Sequence, residues 1–247
     1  MKRVLFSFII LLAASVAASA QSFTYYFPQI AAGDGWRTTI FVSNATAAGT
    51  ATGSITLTAS DGSPFNANWI DELGNNVSNG RSVINFQLPA GQTHKYVTLG
   101  DLPLTVGYAT VTANASVLGT AMYSQLDGNG NILAEAGVPM GIPLGKQAVF
   151  VDTTNGFRTG VAIANPNSNT LEVHFQLVDD NGQILAEQVR NLGSFQHIAL
   201  FTDELFPGAP TVVGRMQFWC TNPMVSVALR FSPTAMFTTM PPIAIAN

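Results

Sequence analysis

The chain has 247 residues and a formal net charge of −4, and only 10% of its residues are charged, where about 25% is ordinary. That balance excludes nucleic acid as a partner, because phosphate binding is driven by clustered Lys and Arg. Cys220 is the single cysteine, so no internal disulfide can form and stability has to come from a packed core.

The first twenty residues read as a charged start (Lys2, Arg3), an apolar run over 4–14 and a small-residue stretch ending Ala18-Ser19-Ala20. This is the layout of a secretory signal peptide, with cleavage expected after Ala20. The apolar run is shorter than the roughly 20 residues of a membrane span, and no later segment reaches that length, so no transmembrane segment is expected in the mature chain. The expected location is secreted, extracellular or periplasmic. A surface rich in Ser, Thr, Asn and Gly suits that setting.

From residue 21 onward the apolar residues alternate with polar ones. Ile55, Leu57 and Ala59 stand against Ser54, Thr56 and Thr58, and Val173, Phe175 and Leu177 against Glu172, His174 and Gln176. A period of two predicts half-buried antiparallel strands. Asn129-Gly130 and Asn181-Gly182 lie between such runs and predict tight type I′ hairpins.

The order of segments in the first part returns in the second. Gly35-Trp36-Arg37-Thr38, followed by Ile40, Val42 and Asn44, is answered by Gly156-Phe157-Arg158-Thr159, followed by Val161, Ile163 and Asn165. Gly91, His94, Asp101 and Leu102 find counterparts in Gly193, His197, Glu204 and Leu205. Val106-Gly107 and Tyr123-Ser124 match Val213-Gly214 and Phe231-Ser232. The spacing requires an insertion in the first repeat, over about 60–81. Residues 137–146 alternate Gly and Pro with apolar residues, a composition that breaks helix and ladder alike. The expected organisation is therefore a signal peptide over 1–20, a first module over 21–136, a Pro/Gly linker over 137–146 and a second module over 147–247. Each module is expected to close its own apolar interior, giving an elongated particle. Asp101-Leu102-Pro103 and Glu204-Leu205-Phe206-Pro207 read as short turns between sheets.

Seven or eight short strands per module, with regular turn signals, predict an all-β chain of two tandem antiparallel β-sandwiches. The run Val161-Ala162-Ile163-Ala164-Asn165-Pro166-Asn167, followed by a strand from Leu171, resembles the immunoglobulin-like and fibronectin-III-like sandwich modules of secreted bacterial surface proteins. Residues 39–46 keep the strand and Asn44 but carry Ala45 where the second module has Pro166. Such modules serve adhesion, stalk or ligand-binding roles, so the resemblance implies a fold and no functional residues.

Candidate chemistry is sparse. His94, His174 and His197 read as solvent-facing strand positions, and Gly-x-Ser-x-Gly, His-x-x-x-His and Cys-x-x-Cys motifs are missing, so no catalytic, metal or cofactor-binding residue is assigned. Asp127, Asn129 and Asn131 alternate as calcium ligands do, but Ile132 and Val138 stand where such a loop needs glycine and a bidentate glutamate. Cys220 reads as a small buried hydrophobe. Trp36 and Phe157 read as core plugs. Trp69, in the insertion, is the one candidate ligand-binding residue, as an exposed aromatic platform for a sugar ring. The expectation is a secreted, non-catalytic structural or adhesive protein whose partners are other surface proteins or glycans. The alternatives are a carbohydrate-binding protein that uses Trp69 and, less favoured, an outer-membrane β-barrel.

Overall fold

The computed structural model describes residues 22–234 and 236–245; the signal-peptide reading of 1–20 lies outside them. The alternating runs form β1 (Phe23–Ala32), β2 (Trp36–Ser43), β3 (Thr50–Ala59), β4 (Ala67–Ile70), β5 (Asn76–Arg81), β6 (Val83–Pro89), β7 (Thr93–Thr98), β8 (Thr105–Ala113), β9 (Leu118–Leu126) and β10 (Ile132–Pro139). They build two antiparallel sheets, in the orders β1-β8-β3-β6 and β10-β9-β2-β7-β4-β5. The second half contains β11 (Leu144–Asp152), β12 (Arg158–Ala164), β13 (Leu171–Asp179), β14 (Ile184–Leu192), β15 (His197–Phe201), the one-turn helix α1 (Thr202–Leu205), β16 (Val213–Phe231), β17 (Phe237–Met240) and β18 (Ile243–Ala244).

β16 is one strand of 19 residues that serves two sheets. Its first part pairs with β11 and β13, and its last part with β12 and β17. In the first half the same work is divided between β8 and β9. With that correspondence, β11-β16-β13-β14 repeats the order β1-β8-β3-β6, and β17-β16-β12-β15 repeats β10-β9-β2-β7. The chain is thus all-β, with antiparallel sheets stacked face to face. Its connectivity is not that of an immunoglobulin domain, whose first two strands are neighbours in one sheet; here β1 and β2 lie in opposite sheets. Every sheet among the described residues is open, with a free strand at each edge, so the strands do not close into the barrel considered above.

The β1–β2 corner explains the repeated Gly-aromatic-Arg-Thr block. Asp34 (φ 47°) and Gly35 (φ 85°) both adopt left-handed backbone, and Gly33 and Trp36 exchange backbone hydrogen bonds of 3.0 and 2.9 Å across them. Asn155 (φ 53°) and Gly156 (φ 78°) do the same at the β11–β12 corner, where Phe157 N–H donates to the Thr154 carbonyl. These are the type I′ turns. At Asn129-Gly130 and Asn181-Gly182, by contrast, only the glycine is left-handed, at φ 83° in each. The Asp127 carboxylate accepts the N–H groups of Asn129 and Asn131, and that of Asp179 accepts those of Asn181 and Gln183, which stabilises a type I turn with a glycine bulge instead.

Beyond each corner the strands splay into opposite sheets, and a threonine replaces the lost ladder bonds. The Thr38 hydroxyl donates to the Ala31 carbonyl and accepts the Ala31 N–H, at 2.7 and 3.1 Å. Thr159 makes the same pair of bonds to Asp152, both at 3.0 Å. At the far end of the same strands, the buried Asn44 amide donates to the Gly49 and Leu88 carbonyls, and the buried Asn165 amide to those of Asn169, Leu192 and Gly193. The repeated residues are therefore backbone clamps.

Strand extends into both the insertion and the linker. Within residues 60–81, β4 and β5 form a hairpin that extends one sheet beyond β7, and Phe65, Ala67 and Trp69 are buried. Alternation in Ala67 and Trp69 was the available signal, diluted by the polar β5. The Gly/Pro run interrupts the ladder only over residues 140–143: β10 keeps pairing with β9 through Pro139, an edge position where a missing N–H costs nothing, and β11 begins at Leu144.

The interiors are not separate. One cluster is centred on Phe27, Ile40, Ile55, Trp69 and Val111, and it continues into Ala162, Val227, Leu229 and Phe237 of the second half. A second cluster, around Val149, Val161, Phe175, Met216 and Phe218, lies wholly within the second half.

Candidate functional site at the junction of the halves

The junction follows from two sequence runs without alternation. In β12 every residue after Arg158 is buried, and in β16 the residues from Met224 to Leu229 are buried as well. A strand covered on both faces needs apolar residues at both parities. Val161 and Ile163 point into the second interior, while Ala162 belongs to the first. Ala164 and Val225 pack with Tyr26 and Tyr108. β1 supplies the opposing surface, with Phe27 to Ala32 all buried. The small side chains at 162 and 164 let the two backbones approach.

A polar knot sits inside this apolar contact. His197, at the start of β15, is 2% exposed. Its Nε2 lies 3.0 Å from Gln29 Oε1, its Nδ1 lies 3.1 Å from Ser60 Oγ, and its backbone N–H donates to the Ser60 carbonyl at 3.0 Å. The Ser60 hydroxyl also reaches the Val106 carbonyl at 2.9 Å. All of these partners belong to the first half. Burial pulls the imidazole pKa down to about 4, partly opposed by the nearby Pro28 carbonyl, so the ring is neutral at pH 7. The solvent-facing reading of His197 is thereby corrected: it is a buried tie between the halves.

Next to the knot is a cleft of about 300 Å³. Its walls come from both halves: Trp36, Tyr123 and Gln29 on one side, Phe201, Leu229 and Phe231 on the other. The exposed residues Leu104, Ala199 and Glu204 also border it. Tyr123 stacks on Phe237 at 5.3 Å and 6°, and Trp36 packs against both rings. The Tyr123 hydroxyl is buried with no hydrogen-bond partner among the described residues. An unmet buried donor costs about 1–3 kcal/mol. Burial also raises its pKa far above the usual 10, so the phenol keeps its proton. Beside the cleft, the Arg158 guanidinium lies 3.6 Å over the Phe201 ring and pairs with Asp203 at 2.8 Å.

The structure disperses the residues that sequence reasoning singled out. Trp69 is 0% exposed and sits in the first interior, so it offers no platform to a sugar; β4 turns it inward because Ala67 and Trp69 share the core-facing parity. Trp36 is half-buried against the first interior, and Phe157 is half-buried beneath the Arg230 guanidinium at 3.6 Å. His94 lies 3.2 Å from the Tyr96 hydroxyl, and His174 stacks on Trp219 at 5.5 Å and reaches Glu172 at 3.1 Å. Cys220 is half-buried, its thiol donates to the Asn222 carbonyl, and burial pushes its pKa up to about 11. The Asp127 carboxylate is engaged by the N–H groups of its own turn and by the Asn131 amide. Gln29 and Ser60 have no signal in the sequence, and Tyr123 and Glu204 stand out there only as repeat positions, because their role arises only when the halves meet.

The chain matches no protein-family model and no curated protein. Among solved structures it is similar to a beta-glucuronidase from glycoside hydrolase family 2, at 9% identity over 92% of this chain and 24% of that one. The TM-score of 0.17 is too low for the likeness to bear on fold or activity, and the chain spans about a quarter of that protein.

Proposed function

We propose that this chain is an exported, non-catalytic scaffold of two sandwich modules, immunoglobulin-like in architecture though not in connectivity, that acts through the surface of one rigid unit. The observation that carries this reading is the shared interior: Ala162, Val227, Leu229 and Phe237 complete a core begun by Phe27, which fixes the angle between the modules. Rigidity is what a structural or adhesive module needs, since presenting a fixed surface lowers the ordering cost of binding. The use of His197 as an interface tie, and of Asp152 as the partner of Arg230 at 2.5 Å, assigns architectural work to groups that could otherwise serve as base or acid. The partners proposed are other surface proteins or glycans. With Trp69 in the core, a glycan partner would have to be met by other residues.

The test is to assay the purified protein for hydrolysis of glycosides, esters and peptides, and for retention on a glycan array and on intact cells. Retention without turnover is the expected result. Saturable turnover of any of these substrates would refute the reading.

A further inference from the structure

We infer that the cleft between the halves is a binding site for a small, uncharged, planar molecule of one or two fused rings that carries a hydrogen-bond acceptor. This goes beyond the scaffold reading and does not depend on it. The volume of about 300 Å³ falls at the lower end of the range of small-molecule pockets, about 300–1,000 Å³, and such pockets concentrate where two domains meet. The walls are ring faces and branched aliphatics: Trp36, Tyr123, Phe201, Leu229 and Phe231. Aromatic walls favour a flat guest that can stack or meet them edge-on.

Polar groups narrow the class further. Tyr123 is 2% exposed, lines the cleft and carries a hydroxyl with no partner. The hydroxyl is sealed from the cleft, so a guest that offers an acceptor would gain a bond from it on a small shift of the ring, and a pure hydrocarbon would not. Gln29, also in the wall, has its carbonyl oxygen against His197, which leaves its amide N–H groups as further donors. Glu204 beside the opening accepts the Phe201 N–H through one oxygen and repels anions. The apolar walls penalise a charge of either sign, so the guest is neutral, and the site supplies donors while the guest supplies the acceptor.

2-Naphthol is the probe, because at pH 7 it is neutral, flat, bicyclic and carries one oxygen; naphthalene is its partner without the oxygen. Titration of the full-length protein, followed by calorimetry and by the NMR signals of the Tyr123 ring, should show saturable one-to-one binding with Kd at or below about 1 mM. Tyr123→Phe should weaken 2-naphthol by about tenfold and leave naphthalene unchanged. Ala199→Trp, at an exposed position of the cleft wall, should abolish binding of both without lowering the melting temperature. Leu104→Trp serves the same purpose from the opposite side should the first variant be unstable. Absence of saturable binding to the wild type, or equal affinities for 2-naphthol in wild type, Tyr123→Phe and the blocking variant, would overturn the assignment.

Discussion

His197 is the residue at which pH enters. Unfolded, its imidazole takes up a proton near pH 6.5; folded, burial delays this to about pH 4. The unfolded chain thus binds more protons between those values, so stability is complete above pH 6.5 and falls as acid is added, levelling off below about pH 4. The shift corresponds to about 3 kcal/mol. Urea unfolding from pH 7 to pH 4 should show this loss, and His197→Gln should remove that part of the slope while leaving the carboxylate contribution. The threonine and asparagine clamps give a second prediction at this scale. Thr38→Val and Thr159→Val each strand a backbone N–H and a carbonyl, and should each cost about 1–3 kcal/mol in denaturation experiments. Asn165→Ala removes the donor from three carbonyls and should cost at least as much.

At the level of strands, the repeated Val-Gly pair has a steric origin. A Cβ on Gly107 would lie 1.9 Å from the Thr58 carbonyl oxygen, and one on Gly214 would lie 2.1 Å from that of Val178. Both glycines sit where a neighbouring strand crosses closest, opposite Ala59 and Asp179. Gly107→Ala and Gly214→Ala should each lower stability by about 3 kcal/mol, measured by thermal or urea melts, because the backbone of the facing strand has to move. Strand identity and the repeat were legible because alternation and the Gly-aromatic-Arg-Thr blocks are local patterns. Three things were not. The Asn-Gly pairs signalled hairpins, but the aspartate that selects type I over type I′ acts through its side chain, outside the dipeptide rule. Trp69 looked loop-borne because only two positions of β4 alternate before the next turn. His197 shares its sequence position with the half-buried His94, and only the packing of the first half upon β15 makes the difference.

For the molecule as a whole, the unalternating runs at 161–164 and 224–229 are the written sign that a sheet is covered on both faces, a sign that alternation within single strands does not carry. The consequence is cooperative. Calorimetry of the intact protein should give a single transition. Val227→Asp, which places a charge in the contact between the halves, should lower the unfolding temperature of the whole chain and not split off one half intact. Resolution into two transitions, with the second half unaffected, would show the contact to be dispensable.

Phe237, in β17, packs in an interior whose first member, Phe27, lies in β1. A chain that emerges vectorially, from a ribosome or through a secretion pore, cannot finish that interior until β17 is delivered. Completion is deferred by sequence order alone. The nascent polypeptide remains threadable until that strand arrives, and this interior then closes in one step.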